Sequence, residues 1–91
     1  MKKNGIHTEF YENGKKRSEE TYKDGKLDGL STFWYENGQK QGEGNFKDGR
    51  LDGFVTEWHE NGKKEYEGTY KDGKEIDKKC WDEDGNETEC D

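Results

Sequence analysis

The chain has 91 residues, of which 23% are hydrophobic and 43% charged, and its formal charge is −7. This length and apolar content permit one small domain with a thin core, and the negative charge disfavours a nucleic-acid backbone or an anionic membrane surface as partner. No run approaches the roughly 18 apolar residues that a membrane-spanning helix needs.

The start, Met1-Lys2-Lys3-Asn4-Gly5, has no apolar leader region. The chain reads as cytoplasmic if it is complete and extracytoplasmic if it is a cropped domain with oxidised cysteines. Its twelve aromatic residues outnumber the six Leu, Ile and Val, and Ala and Pro are absent, a choice that favours strands over helices. The first segment alternates Ile6, Thr8 and Phe10 with His7, Glu9 and Tyr11, as a half-buried strand does. It ends at Glu12-Asn13-Gly14, where Gly14 suits the left-handed position of a three-residue turn with a glycine bulge. That turn pairs Tyr11 with Lys15, then Phe10 with Lys16 and Thr8 with Ser18. The next strand ends at Lys23-Asp24-Gly25, a two-residue Asp-Gly hairpin that pairs Tyr22 with Leu27. In this register Tyr22 shares a face with Phe10. Leu27 is then out of phase with Leu30, so an irregularity at Asp28-Gly29, and again at Asp52-Gly53, is expected to restore the face.

The whole pattern recurs every 24 residues. Glu36-Asn37-Gly38 and Glu60-Asn61-Gly62 repeat the first turn, and Lys47-Asp48-Gly49 and Lys71-Asp72-Gly73 the second. Gly38, Gly49, Gly62 and Gly73 thereby join Gly14 and Gly25 as structural turn positions. Leu30, Thr32, Trp34 and Phe54, Thr56, Trp58 repeat the first face, with Phe46 and Tyr70 in the place of Tyr22. One face is expected to pack a thin aromatic core, with Gly44 and Gly68 as seats for indole rings. The other is expected to meet water and to carry Glu19, Glu43 and Glu67. The last unit has Glu75-Ile76-Asp77 where the others have Leu-Asp-Gly, loses one residue and turns at Asp82-Glu83-Asp84-Gly85. The expected fold is all-β and helix-free: one domain, 1–91, forming a single-sheet, elongated, twisted antiparallel meander. Its hairpin repeats run over about 5–28, 29–52 and 53–76, with a degenerate capping hairpin at 77–91.

Trp34-Tyr35-Glu36-Asn37-Gly38 and Phe46-Lys47-Asp48-Gly49-Arg50-Leu51-Asp52-Gly53, with their counterparts one repeat to either side, resemble the MORN-type repeat in its bacterial variant form. Over about residues 5 to 85 the chain is similar to the YwqK-family antitoxins. The resemblance implies a repeat scaffold with protein-binding or membrane-associated roles. The antitoxin label implies capture and neutralisation of a partner toxin.

The chemistry-bearing residues are sparse. His7 and His59 lie in strand positions that vary between repeats and neither cysteine neighbours them, so no catalytic residue and no enzyme activity is assigned. The glycine turns lack the Lys-Ser or Lys-Thr pair of a phosphate loop, and no cofactor-binding residue is assigned. Asp82 to Glu87 is oxygen-rich, but its glycine is misplaced for a calcium loop, and two cysteines with remote histidines do not make a zinc site, so no metal ligand is assigned. Asn86-Glu87-Thr88 matches a glycosylation acceptor, a motif common by chance. Cys80 and Cys90 flank the last turn and read either as a disulfide stapling the terminal hairpin or as a reduced pair in a cytosolic cap. Function is sought where copies differ: Phe33 replaces Glu9 and Glu57, and Val55 replaces His7 and Ser31. With Tyr11 and Tyr35 these form a candidate apolar contact strip. The expectation is a non-catalytic module for a protein partner with a basic surface. Its alternatives are homodimerisation, peripheral envelope association and a structural spacer of a larger surface protein.

Overall fold

The computed structural model describes residues 3–90; of the Met1-Lys2-Lys3 start only Lys3 falls within it, and Asp91 of the cap falls outside. The described residues contain no helix. They form nine strands: β1 (Gly5–Phe10), β2 (Lys16–Lys23), β3 (Lys26–Leu27), β4 (Gly29–Trp34), β5 (Lys40–Lys47), β6 (Arg50–Trp58), β7 (Lys64–Lys71), β8 (Lys74–Trp81) and β9 (Glu87–Thr88). All belong to one antiparallel sheet in the order β1-β2-β4-β5-β6-β7-β8-β9, with β3 paired to β2. The molecule measures 46 × 36 × 15 Å, the thickness of one layer.

The two turn types follow from their glycines. Tyr11 N–H donates to Lys15 O at 2.8 Å and Gly14 N–H to Tyr11 O at 3.0 Å, with Gly14 at φ 87°, which closes the three-residue turn with its bulge. Asp24 (φ 51°) and Gly25 (φ 83°) are both left-handed, the pair of angles a type I′ turn requires, and Tyr22 lies opposite Leu27.

Beyond the first turn the register departs from the sequence expectation. Phe10 faces Lys16, but Glu9 faces Ser18 and Thr8 faces Glu19, so Arg17 is an extra residue on β2. Gln41 and Glu65 are extra at the same place in the next two hairpins. One added residue inverts every later side chain. Tyr22, Phe46 and Tyr70 therefore do not share a face with the indoles. Phe10, Trp34, Trp58 and Trp81 mark one face, the Trp face, together with Glu19, Glu43 and Glu67. Tyr22, Phe46, Tyr70, Phe33 and Val55 lie on the other, the Tyr face.

The irregularities at Asp28-Gly29 and Asp52-Gly53 are present, with Gly29 and Gly53 at φ 114° and 104°. They have a different consequence: pairing moves from Phe46–Leu51 to Gly44–Val55, a two-residue shift that leaves Leu51 and Val55 on one face. In the last repeat the lost residue reduces this to a one-residue shift at Ile76.

The expected one-sided core is absent. Among the described residues no hydrophobic side chain is buried; the buried side chains are Ser18, Ser31 and Thr32. Because the aromatic rows are split between faces and no second layer covers either, each ring packs only against its neighbours in the sheet. Gly44 and Gly68 seat no indole: Leu51 and Val55 crowd the first, and the Tyr66 ring lies across the second.

Backbone strand pairing joins the repeats, and a set of side-chain ladders reinforces it. On the Trp face Lys16, Lys40 and Lys64 lie 5.6, 5.8 and 5.9 Å over the rings of Trp34, Trp58 and Trp81. Each also pairs at 2.9 Å with Glu19, Glu43 or Glu67. Along the bulged turns, Tyr11 and Tyr35 hydroxyls donate to Trp34 O and Trp58 O at 2.5 and 2.7 Å, and His59 Nε2 meets Trp81 O at 3.0 Å. Asn13, Asn37 and Asn61 donate to the carbonyls of Glu36, Glu60 and Glu83 at 3.2, 3.0 and 2.8 Å. Their Oδ1 atoms accept from their own turns at Lys15, Gln39 and Lys63.

Candidate functional site

A mainly apolar concavity opens on the Tyr face of the middle repeat. It is a hollow of about 350 Å³ whose walls are Phe33 on β4, Phe46 on β5, and Leu51 and Val55 on β6, with Gly42 and Gly44 as its floor. Phe33 lies opposite Gly42 and Val55 opposite Gly44, so two large side chains flank two positions that have none. A Cβ at Gly42 would have 3.6 Å to its nearest neighbour, Glu57 Cγ, whereas one at Gly44 would stand 3.2 Å from Leu51 and 3.3 Å from Val55.

The floor is bare only here. At the positions of Gly42 and Gly44 the first repeat carries Ser18 and Glu20, and the third carries Tyr66 and Gly68. Tyr66 folds over Gly68, and its hydroxyl bonds to Glu75 and, at 3.0 Å, to the Tyr70 hydroxyl. Burial raises the Tyr66 phenol strongly, helped by the bond to Glu75, while that same bond lowers the Glu75 carboxyl.

Glu57 stands at one rim of the hollow. Glu57 is exposed, yet partial desolvation on the sheet raises its carboxyl, and the neighbouring Glu65 raises it further. The Tyr35 phenol is likewise raised by burial and by Glu65, Glu60 and Glu57. Such a rim favours a cation beside the apolar hollow.

Of the four strip residues, Phe33 and Val55 meet in the hollow. Tyr11 and Tyr35 do not join them; both are half-buried and tie one repeat to the next. Gly42, Gly44, Phe46 and Leu51 were not singled out as a site from the sequence. The signal available was two glycines two apart on β5, where the copies carry Ser and Glu or Tyr and Gly.

Cys80 lies opposite Thr88, so Cys90 is its diagonal neighbour; the Cα atoms are 5.4 Å apart and the two are joined as a disulfide. Asp82 accepts from the N–H groups of Asn86 and Asp84 at 2.9 and 3.0 Å, which holds its carboxyl low and engages it in the turn. Among the described residues no group of three or more His, Cys, Asp or Glu is arranged to hold a metal ion, and no helix is long and apolar enough to cross a membrane.

The family model for the MORN repeat variant matches residues 3–24, 27–48 and 51–72. The chain belongs to the MORN repeat variant family. No curated protein and no solved structure matches it. MORN repeats in general are non-catalytic scaffolds for protein or membrane interaction. In this MORN repeat protein the ladders on the Trp face and at the turns reinforce that scaffold, and the hollow lies on the opposite, Tyr face.

Proposed function

We propose that this MORN repeat protein binds a partner protein by taking one large apolar side chain, flanked by a basic residue, into the hollow of the middle repeat. The observation that carries this reading is the bare floor at Gly42 and Gly44, ringed by Phe33, Phe46, Leu51 and Val55. An apolar pocket that its own chain does not fill is the form an anchor site takes, and the acidic rim and the charge of −7 match a basic neighbour. In the YwqK-like form of this reading the partner is a toxin, and docking neutralises it. The same charge opposes an anionic membrane as the alternative.

Two opposite perturbations test the site. Phe33→Glu with Val55→Lys removes the apolar walls, while Gly42→Tyr fills the hollow as Tyr66 fills its own repeat. From a lysate of the source organism, immobilised wild type should hold a protein that both variants lose while keeping the wild-type circular dichroism. A protein held equally by all three would refute the site. Co-sedimentation with anionic vesicles at low salt would favour the membrane alternative.

A further inference from the structure

The chain carries an occupied counterpart of its own hollow. On β7 of the third repeat, Tyr66, Gly68 and Tyr70 stand where Gly42, Gly44 and Phe46 stand on β5. Glu75 and Lys78 lie opposite Tyr70 and Gly68, as Leu51 and Val55 lie opposite Phe46 and Gly44. The edge of the Tyr66 ring covers Gly68, with Cζ 2.7 Å and Cε2 3.0 Å from the place a Cβ would take. Glycine within a strand leaves bare backbone, and an aromatic ring on the same face can cover it. The third repeat thus shows what this floor accepts: one six-membered ring.

The two repeats offer the far end of such a ring unlike surroundings. In the third, the Tyr66 hydroxyl donates to Glu75, and the Tyr70 hydroxyl donates to the same carboxylate at 3.1 Å. In the middle one Leu51 takes the place of Glu75 and Phe46 that of Tyr70, so no side-chain oxygen stands there. Leu51 Cδ2 and Val55 Cγ2 come within 3.2 and 3.3 Å of the Cβ position at Gly44, whereas over Gly68 that place belongs to the Tyr66 hydroxyl. A phenol would press its hydroxyl against methyl groups without an acceptor, or ride up off the floor. A phenyl ring, one atom shorter, does neither. Over Gly42, where the stem of such a ring would stand, the nearest atom is Glu57 Cγ at 3.6 Å.

We infer that the hollow is selective for a phenylalanine side chain, presented by a partner protein beside a lysine or arginine, and that it discriminates against tyrosine. This rests on the reading of the hollow as an anchor site and adds the identity of the anchor. A leucine would reach the same space but has no flat face to lay over two glycines. None of the four phenylalanines of this sequence fills it: Phe33 and Phe46 are walls, and Phe10 and Phe54 lie on the Trp face. Phe10 and Phe54 are 57% and 73% exposed, but neither has a basic neighbour in sequence, which disfavours a second copy of a chain of charge −7 as the source.

One test needs no ligand. Gly42→Phe and Gly42→Tyr supply either ring from the position that Tyr66 uses, and Gly42→Phe should melt at least about 4 °C above Gly42→Tyr. Leu51→Glu places at the end of the ring the carboxylate that Glu75 supplies in the third repeat, and in that background the order should reverse. Equal Tm for the two rings, or an order that Leu51→Glu does not change, overturns the selectivity and leaves the anchor site standing. The second test titrates end-blocked Lys-Phe-Lys, Lys-Tyr-Lys and Lys-Leu-Lys peptides into the isotope-labelled chain and follows the Gly42 and Gly44 amides. The Phe peptide should bind about tenfold tighter than the Tyr peptide, and tighter than the Leu peptide. A Tyr or Leu peptide that binds as tightly as the Phe peptide overturns the inference alone. No shift with any of the three removes the anchor site and its selectivity together. Shifts that grow with concentration of the chain alone also overturn the inference, by making a second copy the occupant.

Discussion

Asn37→Asp isolates the turn ladder with almost no change of shape. Asn37 makes two bonds: its Oδ1 accepts from Gln39 N–H at 2.9 Å, and its Nδ2 donates to Glu60 O at 3.0 Å. Aspartate keeps the first and loses the second. Because the turn is exposed, water can replace the lost donor, so the bond is worth about 0.5 to 1 kcal/mol. The new anionic oxygen also faces the Glu60 carbonyl on a chain of charge −7, with Lys15 Nζ at 3.4 Å from Asn37 O as a partial offset, which adds roughly 0.5 kcal/mol in high dielectric. The expected loss is about 1 to 1.5 kcal/mol. For a domain of this size each kcal/mol moves Tm by roughly 4 to 8 °C, so the drop should be near 8 °C by circular dichroism. Salt should recover the charge part of the loss and leave the hydrogen-bond part. The control is Asp84→Asn at the equivalent position of the cap, where no strand follows β9 among the described residues; it should leave Tm unchanged. If Asn37→Asp costs less than about 0.5 kcal/mol, the ordinary surface level, or if Asp84→Asn stabilises by as much as Asn37→Asp destabilises, the ladder does not join the repeats.

Ser31 is 1% exposed and its Oγ has no partner, so Ser31→Ala should raise stability by about 0.5 to 1 kcal/mol in urea unfolding, and a loss would indicate a bound water or an unrecognised bond. Closing the loop between Cys80 and Cys90, ten residues apart, limits the unfolded cap. Reduction should therefore lower Tm by an amount equivalent to at most about 3 kcal/mol, and the Cys80→Ser/Cys90→Ser variant should be insensitive to reductant. Glu75 is lowered chiefly by the Tyr66 hydroxyl, so its contribution is present above the unfolded carboxylate pKa and lost as pH falls through the lower folded value. Tm of Glu75→Gln should accordingly fall less than wild type on acidification below about pH 4.5; parallel curves would refute the coupling. Glu57 has the opposite sign: it is raised by partial desolvation and by Glu65, and because it is exposed Glu57→Gln should stabilise only slightly at neutral pH, with the gain vanishing below the ordinary carboxylate range.

Turn chemistry made much of the fold legible in the sequence. Gly14 and its counterparts announced the bulged turn, Asp24-Gly25 and its counterparts the tight one, and both fixed their nearest pairs, Tyr11 with Lys15 and Tyr22 with Leu27. The assignment of faces was not legible, because Arg17, Gln41 and Glu65 have nothing in common that marks a bulge. A trace of the slip was present: Leu27 and Leu30 are out of phase, so one odd shift had to exist somewhere in the repeat. It lies on β2, not at Asp28-Gly29, where the shift is even. The candidate site shows the same division. Phe33 and Val55 stood out as departures between copies, whereas Gly42 and Phe46 become neighbours of that pair only once Phe46 is placed on the Tyr face.

The inverted register also accounts for where this sheet can vary. The side-chain contacts that join repeats are directed at backbone carbonyls from the turns, or run between Lys, Trp and Glu on the Trp face, and a carbonyl is supplied by any residue. Of the turn ladder only the giver must be kept, and Tyr, Asn and Lys are indeed kept, apart from His59 and Gln39. No ladder of this kind crosses the Tyr face, and no core there demands a fixed volume. Apart from the aromatic row Tyr22, Phe46 and Tyr70, its positions are those where the copies diverge: Ser18, Gly42 and Tyr66; Glu9, Phe33 and Glu57; His7, Ser31 and Val55; Leu27, Leu51 and Glu75. A single-layer sheet that derives its side-chain cohesion from one face and its turns leaves the other face free to acquire a binding site without loss of the scaffold, and the hollow lies on that free face.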